Sequence, residues 1–236
     1  MNWGVLLFPG SNCAEDCFHV IDKVLGKPVS YLWHKDTELG DVDAIIIPGG
    51  FSYGDHLRPG AIAHLSPVMT SVKAFAEKGG LVIGICNGFQ ILTESRMLPG
   101  SLIQNKGIKF LCQDQSLRIE NADTPFTSEY SKGDVVVLPI AHNEGNYYAK
   151  PETIVEMEGN NQILFRYCNV EGEVSNATNP NGSINNIAGI VNRTGNVVGM
   201  MPHPERSSDA VLGLSDGKGV FVSMLKYLEV KHGKDQ

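Results

Sequence analysis

Leu81-Val82-Ile83-Gly84-Ile85-Cys86-Asn87-Gly88-Phe89-Gln90-Ile91-Leu92 decides how the rest of the chain is read. An apolar, β-branched run cut off by glycine predicts a buried strand. Phe89, Ile91 and Leu92 then suit a helix packed back on the sheet. Cys86 falls on the corner, with Gly84 and Gly88 two residues to either side. That is the spacing of a nucleophile elbow, with cysteine in place of serine. Such a corner leaves no room for Cβ atoms at the flanking positions, and it aims the sulfur outward. A helix N-terminus also favours a thiolate, through free N–H groups and the dipole. The same residues read equally well as a buried structural cysteine beside a tight turn.

A nucleophilic thiol needs a base, because a free cysteine is only a few per cent thiolate at neutral pH. The segment Val197-Val198-Gly199-Met200-Met201-Pro202-His203-Pro204-Glu205 reads as an apolar strand ending in a rigid turn. Both prolines fix φ and bias the residues before them to extended geometry. His203 and Glu205, two apart, are then expected to leave on one side. Glu205 would hold the imidazole and His203 would take the thiol proton. A surface histidine beside a glutamate is the competing reading.

The 236 residues suit one large α/β domain or two small ones. A hydrophobic fraction of 42% supports a sizeable core, and no apolar run reaches the roughly 18 residues of a membrane span. Asn2-Trp3-Gly4 leads straight into a strand with no basic segment before it, so no signal peptide is expected. A formal charge of −7 without a Lys/Arg cluster argues against nucleic-acid binding. Cys13, Cys17, Cys86, Cys112 and Cys168 do not form a disulfide framework, and a reducing cytoplasm is the expected setting. Cys13 and Cys17, four apart on a predicted helix, have no nearby Cys or His partners, so no metal is expected.

In chain order, strands are predicted at 3–8, 29–33 and 43–47, with helices between and a further helix over 66–78. Apolar strands alternating with helices predict a mostly parallel, flavodoxin-like α/β sheet covered on both faces. The third strand ends in Pro48-Gly49-Gly50-Phe51-Ser52-Tyr53-Gly54-Asp55. A glycine-rich loop at the carboxyl end of a parallel strand is where such sheets bind ligands. Amides at Gly49 or Gly50, with the Asn87 amide after the nucleophile, could form an oxyanion hole; an ordinary turn is the alternative. Asp55 is expected to pair with Arg58. No phosphate-binding P-loop motif occurs.

From Ser101 the texture changes to short alternating segments: 109–120, 134–138, 153–157, 163–168, 188–192 and 197–201. They predict antiparallel hairpins added to the parallel sheet in one composite domain, 1–236. His142 and Glu144 offer a second acid/base pair, or belong to a polar loop contacting substrate. A last amphipathic helix is expected over 219–231, followed by a frayed tail.

Together these motifs resemble the class I, triad-type glutamine amidotransferases. Gly49-Gly50-Phe51-Ser52-Tyr53-Gly54-Asp55, Gly84-Ile85-Cys86-Asn87-Gly88-Phe89-Gln90, Asn179-Pro180-Asn181-Gly182-Ser183 and Gly199-Met200-Met201-Pro202-His203-Pro204-Glu205-Arg206 are similar to the glutaminase-subunit family of phosphoribosylformylglycinamidine synthase. The likeness runs from the first strand to the last helix. The family usually has His-Gly-Glu-Gly and a basic residue where this chain has His142-Asn143-Glu144-Gly145-Asn146.

The resemblance implies that Cys86 attacks glutamine, with His203 and Glu205 completing a triad. It implies that Gln90 and the Phe51 loop line the substrate pocket, and that the loop through His142, Asn143 and Gly145 closes it. It further implies a large synthetase subunit that holds ATP and Mg, accepts the ammonia and aminates formylglycinamide ribonucleotide, with a small third subunit completing the complex. No cofactor is expected in this chain. A stand-alone Cys-His hydrolase or peptidase of the superfamily, and a non-catalytic assembly subunit, are the rival readings.

Overall fold

The structure, a computed structural model, describes residues 1–234. The first half alternates as expected: β1 (Trp3–Leu7), α1 (Ala14–His19, continued by a π-helical stretch Val20–Val24), β2 (Val29–Trp33), β3 (Ala44–Ile47), α2 (Pro67–Glu77), β4 (Leu81–Ile85) and α3 (Asn87–Glu94). Helix α2 buries Val68, Val72 and Ala76, with Phe75 half-buried. The second half holds β5 (Ser101–Ile103), β6 (Leu111–Ile119), β7 (Val135–His142), β8 (Asn146–Tyr148), α4 (Pro151–Gly159), β9 (Ile163–Tyr167), β10 (Ile187–Val191), β11 (Val197–Met200) and α5 (Lys218–Lys234).

Nine strands form one sheet in the order β2-β1-β3-β4-β11-β10-β9-β6-β7. From β2 to β11 every pairing is parallel, and from β11 to β7 every pairing is antiparallel. The expected hairpins therefore join the parallel sheet edge to edge. Among the described residues, only β5 and β8 pair apart from it. Strands β3, β4, β10 and β11 are buried at every position, as strands covered on both faces must be. Each fully buried Ile or Val there stabilises the fold by about 1.5–3 kcal/mol, so the core centres on these strands. Strand β7 instead alternates, burying Val136, Leu138, Ile140 and His142 on one face.

Three expectations are corrected. Residues 153–157 lie in helix α4, not a strand: Pro151 takes the first helical turn, where its missing N–H is harmless, and Ile154 and Met157 bury one face. Strand β7 runs on through Pro139 to His142. The tail expected to fray from Lys231 continues α5 to Lys234, and the last two residues lie outside the described ones. No described helix is long and apolar enough to cross a membrane.

Candidate active site

The elbow forms as its spacing demands. Cys86 has φ 50° and ψ −105° between the end of β4 and the start of α3. A non-glycine residue held there stores on the order of 1–3 kcal/mol of strain. A Cβ on Gly84 would lie 2.6 Å from the Gly88 carbonyl oxygen, and one on Gly88 would collide with the Ile47 carbonyl. Across the corner, Gly199 on β11 leaves room for the Phe89 ring of α3, which also stacks on Tyr147. The Gln90 amide donates to the Cys86 carbonyl at 3.1 Å. The amides of Asn87, Gly88 and Phe89, in the first turn, have no carbonyl one turn back to bind.

Strand β11 lies parallel to β4, with Met200 opposite Ile85. The chain leaving β11 thus emerges at the same sheet edge as Cys86, whose amide donates to the Met200 carbonyl at 2.8 Å. His203 Nδ1 and Glu205 Oε1 are 2.6 Å apart, with only 1% and 2% of the two residues exposed. The expected pairing holds, but through a different backbone. Glu205 sits in a 3-10 turn, Pro204–Ser207, rather than in an extended segment.

Gly49 marks the centre of the site. A Cβ there would lie 2.8 Å from His203 Cε1, 3.3 Å from Cys86 Cβ and 3.3 Å from Cys13 Sγ. The imidazole therefore has two buried thiols beside it. Burial alone would pull the His203 pKa down. The Glu205 carboxylate, then Cys86 and Cys13, outweigh burial and hold it well above the ordinary histidine value. Cys13 was not expected at the site. Its sulfur accepts from Arg206 Nη2 at 3.1 Å, while Arg206 Nε donates to Asp16 at 3.2 Å. Cys17, four residues along, is a core residue whose thiol burial pushes well up. Cys13, His203 and Glu205 offer donor atoms within 4.8 Å of one another. His203 and Glu205 already share a short hydrogen bond, so they read as an acid–base pair with Cys13 packed beside it.

Gly50, at φ +126°, approaches the Pro9–Asn12 turn so closely that a Cβ would lie 2.6 Å from the Asn12 nitrogen. The Gly10 carbonyl accepts the amides of both Asn12 and Phe51, at 2.9 Å each. Asn87 Oδ1 accepts the Ser52 amide at 3.1 Å. These bonds fix the 49–54 loop against the elbow, with Phe51 half-exposed at the rim. Asp55 does not pair with Arg58. Arg58 binds Glu94, and Asp55 accepts from Asn87 Nδ2 at 3.3 Å. Burial, then the Glu144 charge, raise Asp55 to about 6.

Strand β7 closes the site from the far end of the sheet. Its Pro139 carbonyl accepts the His203 amide at 2.8 Å, and its Ala141 carbonyl faces the Cys86 thiol at 3.6 Å. The following loop is clamped. Gln90 Nε2 donates to the Glu144 carbonyl at 2.7 Å, and Gln90 Oε1 accepts from Asn87 Nδ2 at 2.9 Å. Asn181 Nδ2 donates to the Gly145 carbonyl at 2.7 Å, and the Ser183 hydroxyl to the same oxygen at 3.2 Å. The Asn143 carbonyl accepts the Asn105 amide at 2.8 Å. His142 and Glu144 are not a pair: His142 Nδ1 binds Asn105 and Glu144 accepts from Asn143 Nδ2. Asn105, Asn181 and Ser183 complete a polar network under the loop. Only the Asn-Pro-Asn-Gly-Ser run hinted at it in the sequence.

Residues 2–214 match the model of the CobB/CobQ-like glutamine amidotransferase domain. The chain is 54% identical over 229 residues to the phosphoribosylformylglycinamidine synthase subunit PurQ of Moorella thermoacetica, spanning 97% of each. It is 50% identical over 228 residues to that of Salinibacter ruber, again spanning 97% of each. A chain in the structure of PurLQS from Thermotoga maritima superposes with a TM-score of 0.86 at 42% identity, covering 96% of this chain and 98% of that one. The glutaminase domain of Trypanosoma brucei CTPS, at 12% identity and a TM-score of 0.60, covers 96% and 94% and shows the same fold alone. The chain belongs to the CobB/CobQ-like glutamine amidotransferase family and, within it, to the PurQ subunits.

Proposed function

We propose that Cys86, His203 and Glu205 are the catalytic triad of a glutaminase subunit. The chain hydrolyses glutamine to glutamate and ammonia for phosphoribosylformylglycinamidine synthase in purine biosynthesis. One observation carries the assignment of roles. A buried imidazole, braced by Glu205 at 2.6 Å, lies beside a cysteine on a strained strand-to-helix corner.

The imidazole carries the proton the pair shares as the Cys86 sulfur attacks the side-chain carbonyl of glutamine. Negative charge on the carbonyl oxygen meets backbone N–H groups of Gly49 or Gly50 and of Asn87. Losing one such donor typically raises a barrier by about 3 kcal/mol. His203 gives its proton to the leaving nitrogen, which departs as ammonia. Now neutral, it takes a proton from water, which cleaves the thioester and frees glutamate. Phe51 and Gln90, with the loop through His142, Asn143 and Gly145, line and close the glutamine pocket in this reading.

Ammonia released here is useful only where a second active site consumes it. We assign that site, with its ATP and Mg, to a large synthetase subunit, and we include a small third subunit in the complex. This chain itself uses no cofactor, and the setting is cytoplasmic. Two measurements test the assignment. A diazo-ketone analogue of glutamine is expected to label Cys86 alone. Addition of the synthetase is expected to raise glutaminase turnover strongly. Hydrolysis of peptides without glutamine specificity favours a stand-alone hydrolase, and no labelling even with partner present favours an assembly subunit.

A further inference from the structure

We infer that His142 is a second imidazole of the hydrolytic step: its Nε2 accepts one hydrogen of the water whose other proton His203 removes. The inference rests on the glutaminase reading and extends it to a residue outside the triad.

The protonation of His142 is fixed by its surroundings. Asn105 Nδ2 donates to the carbonyls of Lys109 and His142, both at 2.9 Å. Asn105 Oδ1 accepts the Gly145 amide at 3.0 Å. With the amide oriented by three partners, Oδ1 can only accept from His142 Nδ1, at 3.1 Å. The proton of a neutral ring therefore sits on Nδ1, and Nε2 presents a bare lone pair. That atom is buried with no hydrogen-bond partner among the described residues, and so is His203 Nε2. Buried polar nitrogens are nearly always satisfied, so these two ask for an occupant.

The strand that ends in His142 runs past the reacting groups. The carbonyl of His142's neighbour Ala141 faces the Cys86 thiol at 3.6 Å, and the Pro139 carbonyl three residues earlier holds the His203 backbone. The ring sits in a tight slot, since a Cβ on Gly145 would collide with it. Burial, then the nearby positive His203, lower its pKa to about 4. His142 thus stays neutral, and its lone pair stays open, at any pH near neutrality.

An isolated water beside a thioester can point a hydrogen or a lone pair at the carbon. Held by two imidazole acceptors, it can point only its oxygen. His203 Nε2 takes one proton as the oxygen bonds to the acyl carbon. The second O–H remains hydrogen-bonded to His142. The tetrahedral intermediate then collapses, the C–S bond breaks, and Cys86 leaves with the electron pair as thiolate beside the His203 imidazolium. The acid product ionises to glutamate.

Rapid-quench turnover of glutamine by the complex reconstituted with its synthetase separates the two half-reactions. In His142→Leu the release of the first equivalent of ammonia is expected to be slowed far less than later turnovers. Later turnovers are expected to fall about 10–100-fold, with glutamyl thioester accumulating on Cys86. Hydroxylamine, a stronger nucleophile that needs less orientation, is expected to restore turnover as the hydroxamate. His142→Gln, whose side-chain oxygen can accept, is expected to recover much of the loss. If the Leu variant fails to fold, His142→Met takes its place. Equal slowing of burst and steady state, or no thioester in either variant, overturns the inference while leaving Cys86 as nucleophile. A wild-type enzyme that never forms a thioester on Cys86 overturns the glutaminase reading as well.

Discussion

Two corners of this molecule each deliver a buried thiol to one imidazole, and they do so differently. Cys86 sits at a left-handed φ of 50° on the elbow, its thiol facing a strand-edge carbonyl. Cys13 sits at an ordinary φ of −98° before a short helix, its sulfur gripped by Arg206. Nearness to His203 is shared. Strain and freedom from a guanidinium belong to Cys86 alone, and the first-turn amide that follows Cys13, that of Ala14, is already bound to the Ser11 carbonyl at 3.2 Å. On the proposed reading, the comparison teaches that the backbone selects the nucleophile, by aiming one sulfur toward the amides proposed as oxyanion donors. Cys86→Ala is therefore expected to cut glutamine-dependent turnover by about 10³-fold or more while ammonia-dependent synthesis by the complex persists. Cys13→Ala is expected to keep the wild-type rate within about threefold. Steady-state kinetics with glutamine and with ammonium separate the two, and the reverse pattern breaks the comparison.

The base can be asked the same question. Glu205→Gln keeps the shape of the brace and removes its charge. Turnover is expected to fall by about 10²–10⁴-fold, as when other triads lose their carboxylate. The sign of the pH effect is fixed by the causes of the His203 shift. The carboxylate is the largest influence raising the imidazole, so without it His203 loses its proton at lower pH. The alkaline limb of kcat/KM is expected to move down the pH scale. An unmoved limb would assign the shift to the two thiols instead.

Gly49→Ala probes the space between the thiols. The added methyl would lie 2.8 Å from His203 Cε1 and 3.3 Å from atoms of both cysteines. A contact under 3 Å forces the ring to move, and small misplacements in an active site are expensive. A loss of about 10–100-fold in kcat is expected, with the thermal midpoint lowered by only a few degrees.

The elbow and the His-Pro-Glu turn were legible because each is written in a few adjacent residues. Gly84 and Gly88 are required by the crowding that their spacing announces, and the strand to either side is plain in the β-branched runs. Cys13 was not legible as a site residue. What places it is the packing of the Pro9–Asn12 turn under Gly50, made by backbone bonds between segments about forty residues apart. Asn105 and Asn181 escaped for the same reason: their partners around Gly145 lie 40 and 36 residues away. Residues 153–157 were misread because apolar residues two apart mimic a strand, and the signal that decides is Pro151 at a helix start. Arg58 found Glu94 instead of Asp55 because Asp55 is drawn inward by Asn87.

The smallest expected effect sharpens the comparison most. Cys13 is 3% exposed, so Cys13→Ala removes a buried sulfur and leaves a small void. It also frees one Arg206 N–H that Asp16, already bound to Nε, can share. The loss of packing is expected to cost on the order of 1 kcal/mol, below the cost of emptying a leucine site. A urea midpoint lowered with an unchanged slope would record that. Activity should follow the folded fraction and nothing more. If Cys13→Ala instead lowers kcat at full folding and shifts the pH limb set by His203, the second thiol is electrostatically part of the catalytic pair. The nucleophile would then be chosen by Arg206, which holds one sulfur, as much as by the elbow that presents the other.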